Sequence, residues 1–229
     1  MSSSSAPFLL VGGAGLPAWA WDDVRAALPD GRESAVAERP AADGPRALDD
    51  YAAAALDGSP WRHVVVVAHS IGGVIATRMV ERAPDRVLGV IGISASFPEA
   101  GRSFFGALPF PQRHVVAAIT RVLGTRPPAK MLRTGLARGL DDAVADRLFA
   151  DFAPESQELY RDPVGRVAYP PLRGYLRTGD DPDFPLALQD RYAATLGVER
   201  VETLPTGHVP MLADPQGTAA ALERLVARA

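Results

Sequence analysis

The chain has 229 residues, 47% of them hydrophobic and 22% charged, with a formal charge of −3 and no cysteine. At roughly 150 residues per domain, and with α/β folds of about 200 to 250 residues often forming single units, the expectation is one globular domain carrying an insertion. The missing thiol excludes disulfides, thiolate nucleophiles, zinc ribbons and iron–sulfur sites. Twenty-four basic against 27 acidic residues leave no cationic excess for a polyanion, so nucleic acid is not an expected partner.

After a polar MSSSS tail, Phe8 to Val11 reads as a short buried strand closed by the flexible run Gly12-Gly13-Ala14-Gly15. The wider apolar stretch Phe8 to Trp21 imitates a secretion signal, with Ala18-Trp19-Ala20 as a small-x-small cleavage site. However, no positive charge precedes it, two Trp and a Pro interrupt it, and it is too short to span a bilayer. A cytoplasmic chain without membrane contact is therefore expected. Trp19, Val24, Ala27 and Leu28 recur at helical spacing until Pro29-Asp30-Gly31 stops the helix. Residues 33–38 follow as a strand, 46–56 as a helix, 62–68 as a continuously apolar strand, 71–82 as a helix and 87–93 as another apolar strand. Continuous rather than alternating hydrophobicity predicts strands covered on both faces, as in a parallel sheet.

Beyond Ser96 the rhythm changes. Residues 98–171 contain amphipathic stretches near 112–123, 129–138 and 141–150, broken by Pro and Gly, and no convincing strand. A strand at 172–178, a helix at 185–196, a strand at 198–204 and a helix at 215–228 complete an open sheet of six strands. The expected division is a core of residues 1–96 and 171–229 and a helical cap insertion of residues 97–170.

The apolar strand ending at Ala68 runs directly into His69-Ser70-Ile71-Gly72-Gly73 and then a helix. So tight a strand-to-helix turn forces its central residue into a strained conformation and needs small neighbours two positions away, here Ala68 and Gly72. The turn lifts the Ser70 hydroxyl above the sheet and sets the next amide at a helix N-terminus. A serine before a helix is often only a cap. Its position at the end of a central apolar strand, where open α/β sheets place their ligands, argues instead for a nucleophile.

A serine hydroxyl needs a histidine to take its proton and an acid to orient that histidine. Of the four histidines, His69 adjoins Ser70 and should point away, His63 begins a strand and His114 lies in the insertion. His208 follows the last strand, on the same sheet edge as Ser70. The acid should follow the preceding strand, where Asp180, Asp181 and Asp183 all satisfy the chain order Ser, Asp, His. The glycines after the first strand allow a ligand to approach the backbone closely, as an oxyanion donor requires. They fit a dinucleotide-binding GxGxxG poorly, and no cofactor or metal is called for by any motif.

The segments FLLVGGAGLPAWAWDDV (8–24), VVVVAHSIGGVIATRMVERAPDRVLGVIGISASFP (64–98), YLRTGDDPDFPLALQDRYAATLG (175–197) and LPTGHVPMLADP (204–215) resemble the α/β-hydrolase superfamily. The resemblance is to the compact esterase-like branch that includes plant methyl esterases and hydroxynitrile lyases. It covers most of the sheet-forming chain but not the insertion. It implies an α/β-hydrolase fold, a mostly parallel sheet of about six strands with helices on both faces and a helical cap. It also implies Ser70 as nucleophile, His208 as general base, and the Ala14 and Ile71 amides as the oxyanion hole. Asp181 would be the acid, because the family's aspartate stands four residues before a proline and Pro185 is that proline. Two features depart from the pattern. The family's usual His-Gly is Gly12-Gly13 here, which removes a side-chain brace from the loop. Hydroxynitrile lyases of this branch have a lysine after the catalytic histidine, whereas this chain has Val209 and its only lysine is Lys130. Cyanohydrin chemistry is therefore not expected.

Six of the eight phenylalanines, Phe97, Phe104, Phe105, Phe110, Phe149 and Phe152, fall in or beside the insertion. Half should pack that segment on the core. The rest, with Gly13 and His69, should line a pocket for a medium-sized hydrophobic small molecule. The expectation is a serine hydrolase cleaving an ester, lactone or thioester through an acyl-enzyme. The alternatives are a lyase, isomerase or cyclase that uses His208 as a proton-transfer base, and a catalytically silent ligand receptor.

Overall fold

The computed structural model describes residues 6–41, 46–198 and 200–227; the polar tail 1–5 and residue 228 of the expected last helix lie outside them. Six strands form one parallel sheet: β1 (Phe8–Val11), β2 (Ser34–Val36), β3 (Val64–His69), β4 (Val87–Ile93), β5 (Leu172–Thr178) and β6 (Val201–Leu204). Their order across the sheet is β2-β1-β3-β4-β5-β6, so the chain starts in the middle, crosses to one edge and then builds outward to the other. The two central junctions place Val11 opposite Ala68 and His69 opposite Ile93. The C-terminal ends of β1, β3 and β4 therefore meet at one edge.

Alternation along the strands divides the core in two. Leu9, Val11, Val64, Val66 and Ala68 face one cluster, with α2 (Leu48–Asp57), α3 (Gly72–Arg82) and, farther along the sheet, α9 (Leu186–Leu196). Phe8, Leu10, Val65, Val67 and Ile91 face the other, with α1 (Asp22–Ala27) and α11 (Pro215–Ala227). Both sets are apolar and buried, which is why these strands read as unbroken hydrophobic runs. Burial of these side chains stabilises the layered arrangement by about 25 cal/mol for each Å2 of apolar surface removed from water.

The segment between β4 and β5 carries α4 (Phe104–Ala107), α5 (Gln112–Leu123), α6 (Ala129–Thr134), α7 (Asp142–Ala150) and α8 (Gln157–Arg161), and no strand among the described residues. Helix α6 stops four residues before the expected 138 because Gly135 leaves the helical region, at φ −105 and ψ −97. Helices α4, α8 and α10 (Pro210–Ala213) have four, five and four residues, too few to show a helical period in sequence. The single helix expected around residues 19–28 is a 3-10 turn, Ala18–Trp21, followed by α1. Strand β6 is shorter than the expected 198–204, of which Glu199 lies outside the described residues. It is an edge strand with an exposed Val201. Among the described residues no helix is long and apolar enough to cross a membrane.

Candidate active site

Between β3 and α3 the backbone turns through Ser70 at φ 55, a left-handed conformation that is costly for any residue with a Cβ. Hydrogen bonds hold it there. Ser70 N donates to Ile93 O at 3.2 Å, and Ser70 O accepts from Ser96 N at 2.9 Å and Gly73 N at 3.2 Å. The small neighbours have a concrete reason. A Cβ on Gly72 would stand 2.6 Å from Val11 O, and one on Gly73 would stand 2.4 Å from Ser96 O. Side chains at either position would push α3 off the sheet and displace the Ser70 hydroxyl.

His208 lies in the loop between β6 and α10, with its Nε2 2.9 Å from Ser70 Oγ and its Nδ1 2.6 Å from Asp181 Oδ2. An ionised Asp181 can only accept, so Nδ1–H donates to it and the Nε2 lone pair faces the serine hydroxyl. Asp181 stands just past β5 and is itself surrounded by donors. Its Oδ2 accepts from Ser94 Oγ (2.7 Å) and Thr178 Oγ1 (2.9 Å), and its Oδ1 accepts from the Asp183 and Phe184 amides (both 2.9 Å). Of the three candidate aspartates, the structure puts Asp181 against the imidazole. Burial alone would raise its pKa. The His208 charge and the hydrogen bonds from His208, Ser94 and the Phe184 amide outweigh burial and hold it well below the ordinary carboxylate value. Burial would likewise lower the pKa of His208, but Asp181 overrides it and the net shift is upward from 6.5. Ser94 and Thr178, which sequence reading passed over, occupy the ends of neighbouring strands. Ser94 is also in a left-handed conformation, at φ 40.

After β1 the chain passes within contact of the serine. A Cβ on Gly13 would lie 2.7 Å from His69 Nδ1 and 2.9 Å from Ser70 Cβ, so only glycine admits this approach. Among the described residues neither the Ala14 nor the Ile71 N–H donates a hydrogen bond within the protein. Both flank the Ser70 turn. His69 is wholly buried, its Nε2 2.7 Å from the carbonyl oxygen of His208 and its ring centroid 4.9 Å from that of His208. Burial lowers its pKa to about 3, keeping it neutral.

These groups open into a cavity of about 230 Å3 whose wall is mainly apolar, with Leu16, Val116, Met131, Leu132 and Leu136 among its lining. Gly13, His69, Phe104 and Phe152 line it as expected from sequence. The other four phenylalanines do not. Phe97 is fully buried against Tyr169 and Tyr175 in the core. Phe105 turns away from the cavity and stacks on Tyr160 at 5.2 Å. Phe110 is 75% exposed, and Phe149 sits under the Arg133 guanidinium. Phe184 and Tyr160 line the cavity in their place, the Phe184 ring centroid 5.0 Å from that of His208. One charged group joins them. Solvent reaches Asp183, which has no side-chain hydrogen bond or ion pair among the described residues. The cavity wall removes part of its hydration and raises its pKa, the nearby His208 opposes this and Asp181 adds to it. Among the described residues no group of three or more His, Asp or Glu side chains could hold a metal ion.

Comparison with known proteins gives a consistent family. The esterase relatives include the "Probable esterase PIR7A" of Oryza sativa subsp. indica, 32% identical over 114 residues that make up 44% of this chain and 43% of that one. The match thus spans less than half of that relative's length. Among solved structures, an extracellular alpha/beta-hydrolase from a Paenibacillus species superposes with a TM-score of 0.78 at 17% identity, covering 96% of this chain and 98% of the other. The methylesterase protein MES16 from Arabidopsis gives a TM-score of 0.74 at 19% identity, covering 97% and 100%. At these identities the structures speak for the fold alone. The family model described as "Alpha/beta hydrolase family" matches residues 8–221, nearly the whole of the chain, which therefore belongs to that family.

Proposed function

We propose that this chain is a serine hydrolase that cleaves a carboxylic ester, lactone or thioester of a medium-sized hydrophobic substrate through an acyl-enzyme. The observation that carries this reading is the continuous line Ser70 Oγ, His208 Nε2, His208 Nδ1, Asp181 Oδ2, with spacings of 2.9 and 2.6 Å, at an apolar cavity. In the proposed reaction His208 takes the Ser70 proton as Oγ attacks the carbonyl carbon, and Asp181 stabilises the imidazolium that results. The Ala14 and Ile71 amides, free of internal acceptors, receive the charge that develops on the carbonyl oxygen. His208 then returns the proton to the leaving group, and water repeats the sequence on the acyl-Ser70. The helical segment between β4 and β5 acts as the cap, supplying Phe104, Val116, Met131, Leu132 and Phe152 to the wall. At about 230 Å3 the cavity is below the roughly 300–1,000 Å3 of drug-sized ligand sites, which favours a compact substrate. Its apolar lining favours an uncharged acyl or alcohol group. The esterase names of the rice relatives point the same way.

Covalent labelling with a fluorophosphonate, read by intact mass, tests this directly. One adduct per chain is expected, mapped to Ser70 and absent from Ser70→Ala. An unlabelled wild type, or equal labelling of the variant, overturns the proposal.

A further inference from the structure

Arg39, just beyond β2, donates from Nη2 to Gly13 O at 2.5 Å. That carbonyl belongs to the same peptide group as the Ala14 N–H. The Gly13–Ala14 peptide is trans, so its C=O and N–H point in opposite directions. The guanidinium thus sits on the side of this peptide opposite the Ala14 N–H, and Ala14 lines the same cavity as Ser70. A cation bonded to the carbonyl of an amide polarises it and strengthens the N–H as a donor. Resting on the proposed hydrolase reading, we infer that Arg39, held by Glu155, is a positioning residue that aims and polarises the Ala14 amide of the oxyanion hole.

The surroundings are built for this. Glu155 is buried, 5% exposed, and Arg39 Nη1 forms an ion pair with its Oε1. The same Oε1 accepts from Gly15 N at 3.2 Å, and Oε2 accepts from Tyr51 Oη at 2.8 Å. Gly13 O also accepts from Leu16 N (3.2 Å), and Gly15 O accepts from Ala153 N (3.2 Å). The loop is therefore clamped on both sides of Ala14: by Arg39 at the preceding carbonyl and by Glu155 at the following amide. Glu155 is buried while Arg39 is half-buried, and withdrawing such a carboxylate from water costs much of what the ion pair returns. A pair so placed is better explained by what it orients. It also occupies the role left open by Gly12-Gly13, which offers that loop no side-chain brace. Glu155 belongs to the segment between α7 and α8, so the same pair ties the helical insertion to the loop beside the nucleophile.

The test measures the rate constant kinact and the constant KI of fluorophosphonate labelling, whose phosphoryl oxygen occupies the oxyanion position, in wild type, Arg39→Met, Arg39→Lys and Glu155→Gln. The turnover of p-nitrophenyl butyrate is followed in parallel, and near-UV circular dichroism verifies folding. Removing an oxyanion donor outright costs about 100- to 1,000-fold, so loosening one predicts a loss of about tenfold in kinact and kcat. KI and KM should stay within about twofold, and Arg39→Lys, which can still donate to Gly13 O, should recover most of the loss. A folded Arg39→Met with wild-type kinact and kcat, or with a loss confined to KI and KM, overturns the inference while leaving the hydrolase reading intact. If Arg39→Met does not fold, Glu155→Gln decides: reduced kinact supports the role and unchanged kinact overturns it. Absence of any wild-type adduct overturns the hydrolase reading and this inference with it.

Discussion

His69 donates its Nε2–H to the main-chain carbonyl of His208 across 2.7 Å, so the residue before Ser70 holds the backbone of His208. Its sealed position keeps the ring neutral, because burial has moved its pKa down to about 3 from 6.5. In the unfolded chain it binds a proton near pH 6.5, whereas in the folded chain it does not until about pH 3. Stability from this group is therefore complete above 6.5 and lost as the pH falls through that window. His208 works in the opposite sense. Its folded pKa is raised, so its contribution is complete below 6.5 and lost as the pH rises through the raised value. The urea midpoint should decline with acidification between pH 6.5 and about 3. His69→Leu should flatten that decline while costing about 1–3 kcal/mol at neutral pH, because the His208 carbonyl is left without its partner. An unaltered pH slope in the variant contradicts the assignment.

The raised pKa of His208 also sets a limit on rate. In the proposed reaction His208 acts only when Nε2 is unprotonated, so kcat/KM should fall as the pH drops through the raised value, giving an acid limb above 6.5. Asp181 is the group that raises it. Asp181→Asn should therefore move the limb downward and lower kcat by about a thousandfold or more, since the imidazole loses both its orientation and its counter-charge. A pH–rate profile of wild type and variant on a chromogenic ester measures both. A wild-type limb at or below 6.5 counts against the geometry described for the pair.

The parts of this site that sequence displayed are those in which local pattern and chemistry coincide. Ser70 stands at the end of a fully apolar strand with Gly72 and Gly73 behind it, and the steric reason acts within a few residues. Asp181 was one of three aspartates with the same neighbours. What distinguishes it is a turn that aims the amides of residues 183 and 184 back at its own carboxylate, which composition does not encode. Phe104 and Phe105 show the same limit. They are adjacent in a four-residue helix, and only the helix's phase against Tyr160 decides which ring reaches the cavity. Arg39 and Glu155 are 116 positions apart in stretches with no periodicity, so nothing local announces that they meet.

Asp181 Oδ2 accepts from His208, Ser94 and Thr178 together. Removing one hydroxyl leaves the carboxylate ionised but less restrained. Ser94→Ala and Thr178→Val should each reduce stability by about 1–2 kcal/mol at neutral pH. The same variants weaken the hold on the charged form of Asp181, so its pKa rises and the acid-unfolding transition moves to higher pH. Following the Asp181 carboxylate by NMR through an acid titration distinguishes this from a simple packing loss. A purely steric effect leaves its pKa in place, whereas loss of anion stabilisation raises it.

Asp183 is the one carboxylate on an otherwise mainly apolar wall that lacks a partner among the described residues, and Gly135 leaves it space, since a Cβ there would lie 2.5 Å from Asp183 Oδ2. A substrate arm passing this point meets a negative charge beside His208. Positively charged arms gain attraction and carboxylate-bearing arms meet repulsion, while uncharged arms of equal shape feel only the wall. The measurement is the ratio of kcat/KM for butyrylcholine to that for its uncharged isostere 3,3-dimethylbutyl butyrate, in wild type and in Asp183→Asn. Because solvent reaches the carboxylate, the attraction is screened, and the ratio should fall by about threefold in the variant rather than by orders of magnitude. Raising the salt concentration should shrink the wild-type ratio toward that of Asp183→Asn. A ratio that neither the substitution nor salt changes would show that arms of the bound ester do not pass Asp183, and that the cavity is filled instead from the side of Leu16 and Phe152.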